Sequence, residues 1–220
     1  MPQPPGPTPL KLNASTKLLF IGDSITDCGR REDAPEAVGD GYVRRIRDWL
    51  RAADPANAPA AVVNMGISGN KVTDLQKRWQ RDVIDQAPDV VSVMIGINDV
   101  WHGLVPERAG VDVETFLRTY RQLLMELRAR CPACRLVLCE PTVISPPAPA
   151  EGNETLRPYV RAVNDLAADF VADFVVKTHE TFRNTERVRP DIAWTSDGVH
   201  PTSSGHALIA RTWLATAGLL

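Results

Sequence analysis

Two stretches near opposite ends of the chain carry the side chains best suited to chemistry. Gly22-Asp23-Ser24-Ile25-Thr26-Asp27 follows Lys17-Leu18-Leu19-Phe20-Ile21, a short apolar run bounded by polar residues. Such a run predicts a buried strand. A serine directly after it sits in a βα loop, where open α/β sheets bind ligands at the carboxyl ends of their strands. Ser24 is therefore a candidate nucleophile, although a lone serine at such a place more often caps a helix or closes a turn. Near the C-terminus, Asp197-Gly198-Val199-His200-Pro201 offers a carboxylate and an imidazole in one bent segment. Histidine is the usual general base for serine, and a carboxylate fixes its tautomer and steadies the imidazolium. An Asp-Gly turn followed by a capping histidine would account for the same residues.

Acyl transfer also needs donors for an oxyanion. Gly66 can present a backbone N–H, Asn98 its side-chain amide, and Ser24 its own backbone N–H. Taken singly, Gly66 could serve only backbone conformation and Asn98 only a loop turn. Taken together, Ser24, Gly66, Asn98, Asp197 and His200 are too apt a set to share one rim by accident. Asp23, Trp101 and Trp194 are candidate substrate contacts, because each adjoins the reactive residues or lies close to them. The two indoles could stack on a sugar or wall a small acyl pocket; ordinary packing is the competing fate.

The elements that must position these residues can be read from periodicity. Strands are expected near 17–21, 61–64, 89–95, 135–139 and 173–176. Helical spacing links Tyr42, Val43, Ile46, Trp49 and Leu50; Leu75, Trp79, Val83 and Ile84; and Phe116 to Leu127 over about 112–130. Two more helices are expected around Tyr159 to Phe170 and over 203–217, with His179 to His200 mostly loop. The run Val90-Val91-Ser92-Val93-Met94-Ile95 is apolar on both faces and belongs in the middle of a parallel sheet. Alternating strands and helices predict an α/β fold, a three-layer α/β/α domain with right-handed crossovers. Every suspicious polar cluster then follows a strand, so separate loops meet on one rim.

Composition narrows the function classes. The chain has 220 residues and 44% apolar content, enough for one domain with a sizeable core. Residues 1–13 read as a flexible N-terminal arm and 14–220 as a single domain. A formal net charge of -2 gives no general attraction to nucleic acid or to an anionic membrane. The proline-rich stretch Met1 to Pro9 lacks the apolar core of a secretion signal, and no apolar run approaches membrane-spanning length, so a cytoplasmic protein is expected. Of the cysteines, Cys131 and Cys134 have a metal or redox spacing, but they follow a helix and no second ligand pair is apparent, so no metal is expected. Cys28 is a rival nucleophile without an obvious base. A nucleotide- or flavin-binding module would need a phosphate cradle after the first strand, where Asp23 instead puts a carboxylate.

Four blocks, Gly22-Asp23-Ser24-Ile25-Thr26, Asn64-Met65-Gly66-Ile67-Ser68-Gly69, Gly96-Ile97-Asn98-Asp99 and Asp197-Gly198-Val199-His200-Pro201, resemble in order the signature blocks of the SGNH (GDSL) hydrolases. The stretches GDSITDCG, GISGN, Arg78-Trp79 and MIGINDVW are similar to the intracellular xylan acetylesterase branch. The resemblance implies a flavodoxin-like fold with a central five-stranded parallel sheet. It also implies a Ser24, Asp197 and His200 triad, with an oxyanion hole of Ser24, Gly66 and Asn98. The implied activity is hydrolysis of short acyl esters, of O-acetyl groups on carbohydrate such as xylo-oligosaccharides, through an acyl-serine. The implied partner is a small acetylated sugar, with homo-oligomeric assembly and no cofactor. Lysophospholipase or acyl-thioesterase activity on longer chains is the alternative within the same superfamily.

Overall fold

The strand β1 (Lys17–Gly22) is buried along nearly all of its length, as a strand covered on both faces must be. It pairs in parallel with β2 (Ala61–Asn64) on one side and β3 (Val90–Met94) on the other. Beyond β3 lie β4 (Arg135–Cys139) and β5 (Phe174–Val176), giving the order β2-β1-β3-β4-β5 with every pair parallel. The structure, a computed structural model, describes residues 9–32, 36–149 and 151–220. The strand order reverses between β1 and β3, and that switch point is where such sheets open a crevice. Ser24 follows one of these strands and Asn98 the other.

Helices cover both faces. They are α1 (Ser24–Asp27), α2 (Tyr42–Ala53), α3 (Val72–Trp79), α4 (Ile97–Leu104), α5 (Val113–Arg130), α6 (Gly152–Asp169), α7 (Thr178–Val188) and α8 (Ser203–Thr216). On one face α2 packs against α8, and Phe20 of β1 meets Tyr42 edge-on at 5.8 Å and Trp213 at 5.5 Å. On the other, α5 packs against α3 and α6, with Phe116 set against Tyr120 and Tyr159. The fold is the three-layer, five-stranded parallel arrangement expected from the alternation of elements. No helix among the described residues is long and apolar enough to cross a membrane.

Four local expectations are corrected. Residues 178–188 form α7 rather than loop; of its side chains only Thr178 and Phe182 are buried, which leaves too little apolar periodicity to read. Ser24 and Asn98 lie inside the short helices α1 and α4, not in open loops. Trp49 belongs to α2 but is 45% exposed, its indole N–H donating to the Leu219 carbonyl at 3.2 Å. Of the expected arm, residues 1–8 lie outside the described residues. Leu10 is packed in the core and donates its N–H to the Ala217 carbonyl at 2.8 Å, so residues 10–13 do not belong to a flexible arm.

Candidate active site

The first turn of chain after β1 fixes Ser24. Asp23 caps α1, its carboxylate accepting the Ile25 N–H at 3.0 Å. Ser24 is thereby the first residue of α1, where a backbone N–H has no partner within the helix. The Ser24 Oγ lies 3.0 Å from His200 Nε2, and His200 Nδ1 lies 2.7 Å from Asp197 Oδ2. Asp197 Oδ1 accepts the backbone N–H groups of His200 at 2.8 Å and Val199 at 3.0 Å. Burial works to raise the Asp197 carboxyl, but these hydrogen bonds outweigh it and hold the group below the usual carboxylate range. A carboxylate at Nδ1 calls for the proton there, which leaves the Nε2 lone pair facing the serine hydroxyl.

The segment that carries the histidine is pinned. Gly198 has φ +89°, and its carbonyl accepts the Ser145 N–H at 2.9 Å. A Cβ at Gly198 would lie 1.9 Å from the Ser145 carbonyl oxygen, so both the turn and the close approach require glycine.

The donor set differs from expectation at one position. Asn98 is the second residue of α4 and 5% exposed; its Nδ2 donates one hydrogen to the Asn70 carbonyl at 3.1 Å and has a second available. Gly66 does not face the cleft. Its N–H is spent on Asn64 Oδ1 at 2.8 Å, and a Cβ there would lie 2.2 Å from the Asp27 nitrogen. Gly66 is therefore a spacer that lets two backbones touch. Gly69, three residues on in the same motif, lines the cleft, and its N–H has no acceptor among the described residues. The Ser-Gly-Asn turn of the sequence motif is the signal that could have pointed to it.

Two polar side chains whose role has no signal in the sequence tie the site's loops together. Arg78 of α3 donates to the carbonyls of Gly22 at 3.0 Å and Met65 at 2.7 Å, to Asn70 Oδ1 at 2.8 Å and to Asp82 Oδ2 at 2.8 Å. The ends of β1 and β2 and the Gly69 loop thus share one buried guanidinium. Asn64 Nδ2 donates to the carbonyls of Thr26 at 2.6 Å and Val38 at 2.8 Å. Asp27 in turn accepts the Ser68 N–H at 3.0 Å and hydroxyl at 2.9 Å.

Ser24, Asn98, Gly69, Trp101 and His200 line one cleft of about 450 Å³, a size suited to a small ligand. Two expected substrate contacts fall elsewhere. Asp23 is 1% exposed beneath the site, where burial pushes its carboxyl up to about 7. Trp194 lines a separate hollow with Ser145, Pro146 and Arg183, its indole N–H held by the Arg189 carbonyl at 3.1 Å.

Cys28 does have an imidazole beside it: His206 Nε2 stands 3.5 Å from its Sγ, and both residues line the cleft. The Tyr42 N–H donates to His206 Nδ1 at 3.2 Å, so Nε2 carries the proton of the neutral ring and donates toward sulfur. Burial pushes His206 down to about 4 and the Cys28 thiol up. This pair lacks a free base.

The comparisons with known proteins follow the same lines. A family model described as GDSL-like Lipase/Acylhydrolase matches residues 20–208, which holds every residue of the Ser24, His200 and Asp197 chain. The chain belongs to the GDSL-like lipase/acylhydrolase family. It is 38% identical to an acetylxylan esterase of Geobacillus stearothermophilus, over 95% of this chain and 97% of that one. The crystal structure of Axe2, an acetylxylan esterase from that organism, superposes with a TM-score of 0.82 at 37% identity, covering 95% of this chain and 97% of that one. A catalytic mutant of Axe2 gives 0.83 at 36% identity, with 96% and 98% coverage. The family expected from the four motif blocks is the family found, and as a GDSL-like acylhydrolase the chain is a carboxylic ester hydrolase.

Proposed function

We propose that this hydrolase is a serine esterase that removes acetyl groups from carbohydrate, with xylo-oligosaccharides as the substrate class. The unbroken hydrogen-bonded chain from Ser24 through His200 to Asp197 carries the reading. His200 Nε2 accepts the hydroxyl proton as Ser24 Oγ attacks the ester carbonyl. The oxyanion is received by the Ser24 N–H, the Gly69 N–H and Asn98 Nδ2. The sugar hydroxyl leaves with the proton from His200, acetyl-Ser24 remains, and water repeats the attack to release acetate. Arg78 and Asn64 are positioning residues, acting through the loops they hold. Trp101 supplies an aromatic face within the cleft, and the kinship to an acetylxylan esterase supports an acetylated sugar. Action in the cytoplasm and assembly as a homo-oligomer belong to the same reading, on the likeness of the motifs; light scattering tests the second.

The test is a chain-length series of p-nitrophenyl esters run beside acetylated xylo-oligosaccharides. Sharp preference for acetate, with deacetylation of the oligosaccharides, is expected. Preference for octanoate or longer would move the assignment to lipid esters or thioesters.

A further inference from the structure

The charge of the cleft bears on which acetyl esters it prefers, an inference that rests on the esterase reading above. Among the described residues no carboxylate lines the cleft, and Arg108 is the one permanently charged group that does. The other arginines around the site are engaged. Arg30 donates to the Gly66 carbonyl at 2.6 Å, Arg45 to Ser203 Oγ at 2.8 Å, and Arg78 to the partners named above. The Arg108 guanidinium has neither an ion pair nor a hydrogen bond among the described residues.

Its backbone is nevertheless held in place. The Arg108 N–H donates to the Val105 carbonyl at 3.2 Å, Lys71 Nζ to the Ala109 carbonyl at 2.8 Å, and the Val111 N–H to the Asp99 carbonyl at 2.9 Å. Glu107, just before it, adopts φ +66°, a left-handed conformation that non-glycine residues hold only under constraint. The neighbouring His102 lines the same wall. Burial, then the charges of Arg108 and Lys71, press its imidazole below the ordinary value against the opposing charge of Asp74, so the ring on this wall is neutral.

An unpaired guanidinium in an acid-free cleft matches a single carboxylate. The acetyl group itself is uncharged and small, so that carboxylate belongs on the alcohol side of the ester. The geometry points to an acetylated oligosaccharide bearing a uronic acid as the preferred substrate, its carboxylate received by Arg108 beside the Trp101 ring.

The experiment compares kcat/KM for an acetylated xylo-oligosaccharide carrying a glucuronic acid with that for its neutral methyl ester. An advantage of about tenfold for the acid is expected. It should fall toward parity as sodium chloride rises from about 0.02 M to about 0.5 M. Arg108→Gln should abolish the preference, and Arg108→Lys, which keeps the charge but not the planar fork, should restore part of it. Equal rates on acid and methyl ester, a preference indifferent to salt, or a preference that survives Arg108→Gln would each overturn the inference. So would faster hydrolysis of a lysophosphatidylglycerol, which would assign the cation to a phosphate headgroup. Failure to deacetylate either oligosaccharide would instead strike the esterase reading itself.

Discussion

Ser24 and Cys28 sit one helical turn apart, line one cleft, and each has an imidazole nitrogen within reach, at 3.0 Å and 3.5 Å. Only the first pair can move a proton in the useful direction. The difference lies at the far nitrogen of each ring. His200 Nδ1 meets the Asp197 carboxylate, an acceptor, so its Nε2 is left as a base. His206 Nδ1 meets the Tyr42 N–H, a donor, so its Nε2 is left as an acid. Exposure reinforces the contrast: the His200 side chain is 46% exposed, whereas burial forces His206 to stay neutral. A nucleophile next to a histidine is therefore not yet a catalytic pair; what the second nitrogen touches decides.

The contrast can be broken or sharpened by substitution. Ser24→Ala should lower kcat by about four to six orders of magnitude, measured on p-nitrophenyl acetate. Asn98→Ala should cost about 10²–10³ in kcat with little change in KM, as expected for a donor that strengthens only in the transition state. Cys28→Ala should change kcat/KM by less than about threefold. A loss rivalling that of Ser24→Ala would erase the distinction between the two pairs.

The contrast between the two histidines also reaches stability against pH. The folded value of His206 is about 4, below its unfolded value, so between those values only the unfolded chain binds the proton. Stability is lost as pH falls through that window. His206→Gln should remove roughly 2–3 kcal/mol of that acid sensitivity, read by urea unfolding at about pH 7 and about pH 4.5. Asp23 and Asp99 oppose it. Burial raises both carboxyls to about 7, with Asp23 adding repulsion at Asp99, so they cost stability as pH rises from about 4 toward 7. Only the difference between the wild-type and His206→Gln curves isolates the histidine.

Residue types at fixed places after strands suffice to put Ser24 and Asn98 on one rim, because a parallel sheet gathers its carboxyl-end loops whatever their contents; Asp197 and His200 follow α7 rather than a strand and are legible only as a carboxylate and imidazole in one bent segment. Choosing between Gly66 and Gly69 was beyond such reasoning. Which N–H faces the cleft depends on the Asn64 amide folding back onto its own strand's exit, a side-chain event with no sequence period. The tryptophans make the same point. Trp101 continues α4 beyond Asn98 into the cleft, whereas Trp194 lies before the Thr195 to Pro201 bridge and its ring lines the other hollow. Proximity in the chain predicted both to reach the substrate, and only a known backbone path separates them. Helix α7 is not legible in the sequence because its surface is nearly all polar; the strands are plain because they are nearly all apolar.

The contact between Leu10 and Ala217 lies beside residues 53–59, which lead into β2, and so at the amino edge of the sheet, remote from the cleft. The beginning and end of the described chain are thus already neighbours. A short linker could splice them, and new termini could be cut in the turn between α5 and β4, yielding a circular permutant with the loops around Ser24 undisturbed. For the same reason, a carrier or solid support attached through Leu220 would leave the cleft mouth open to a polymeric ester.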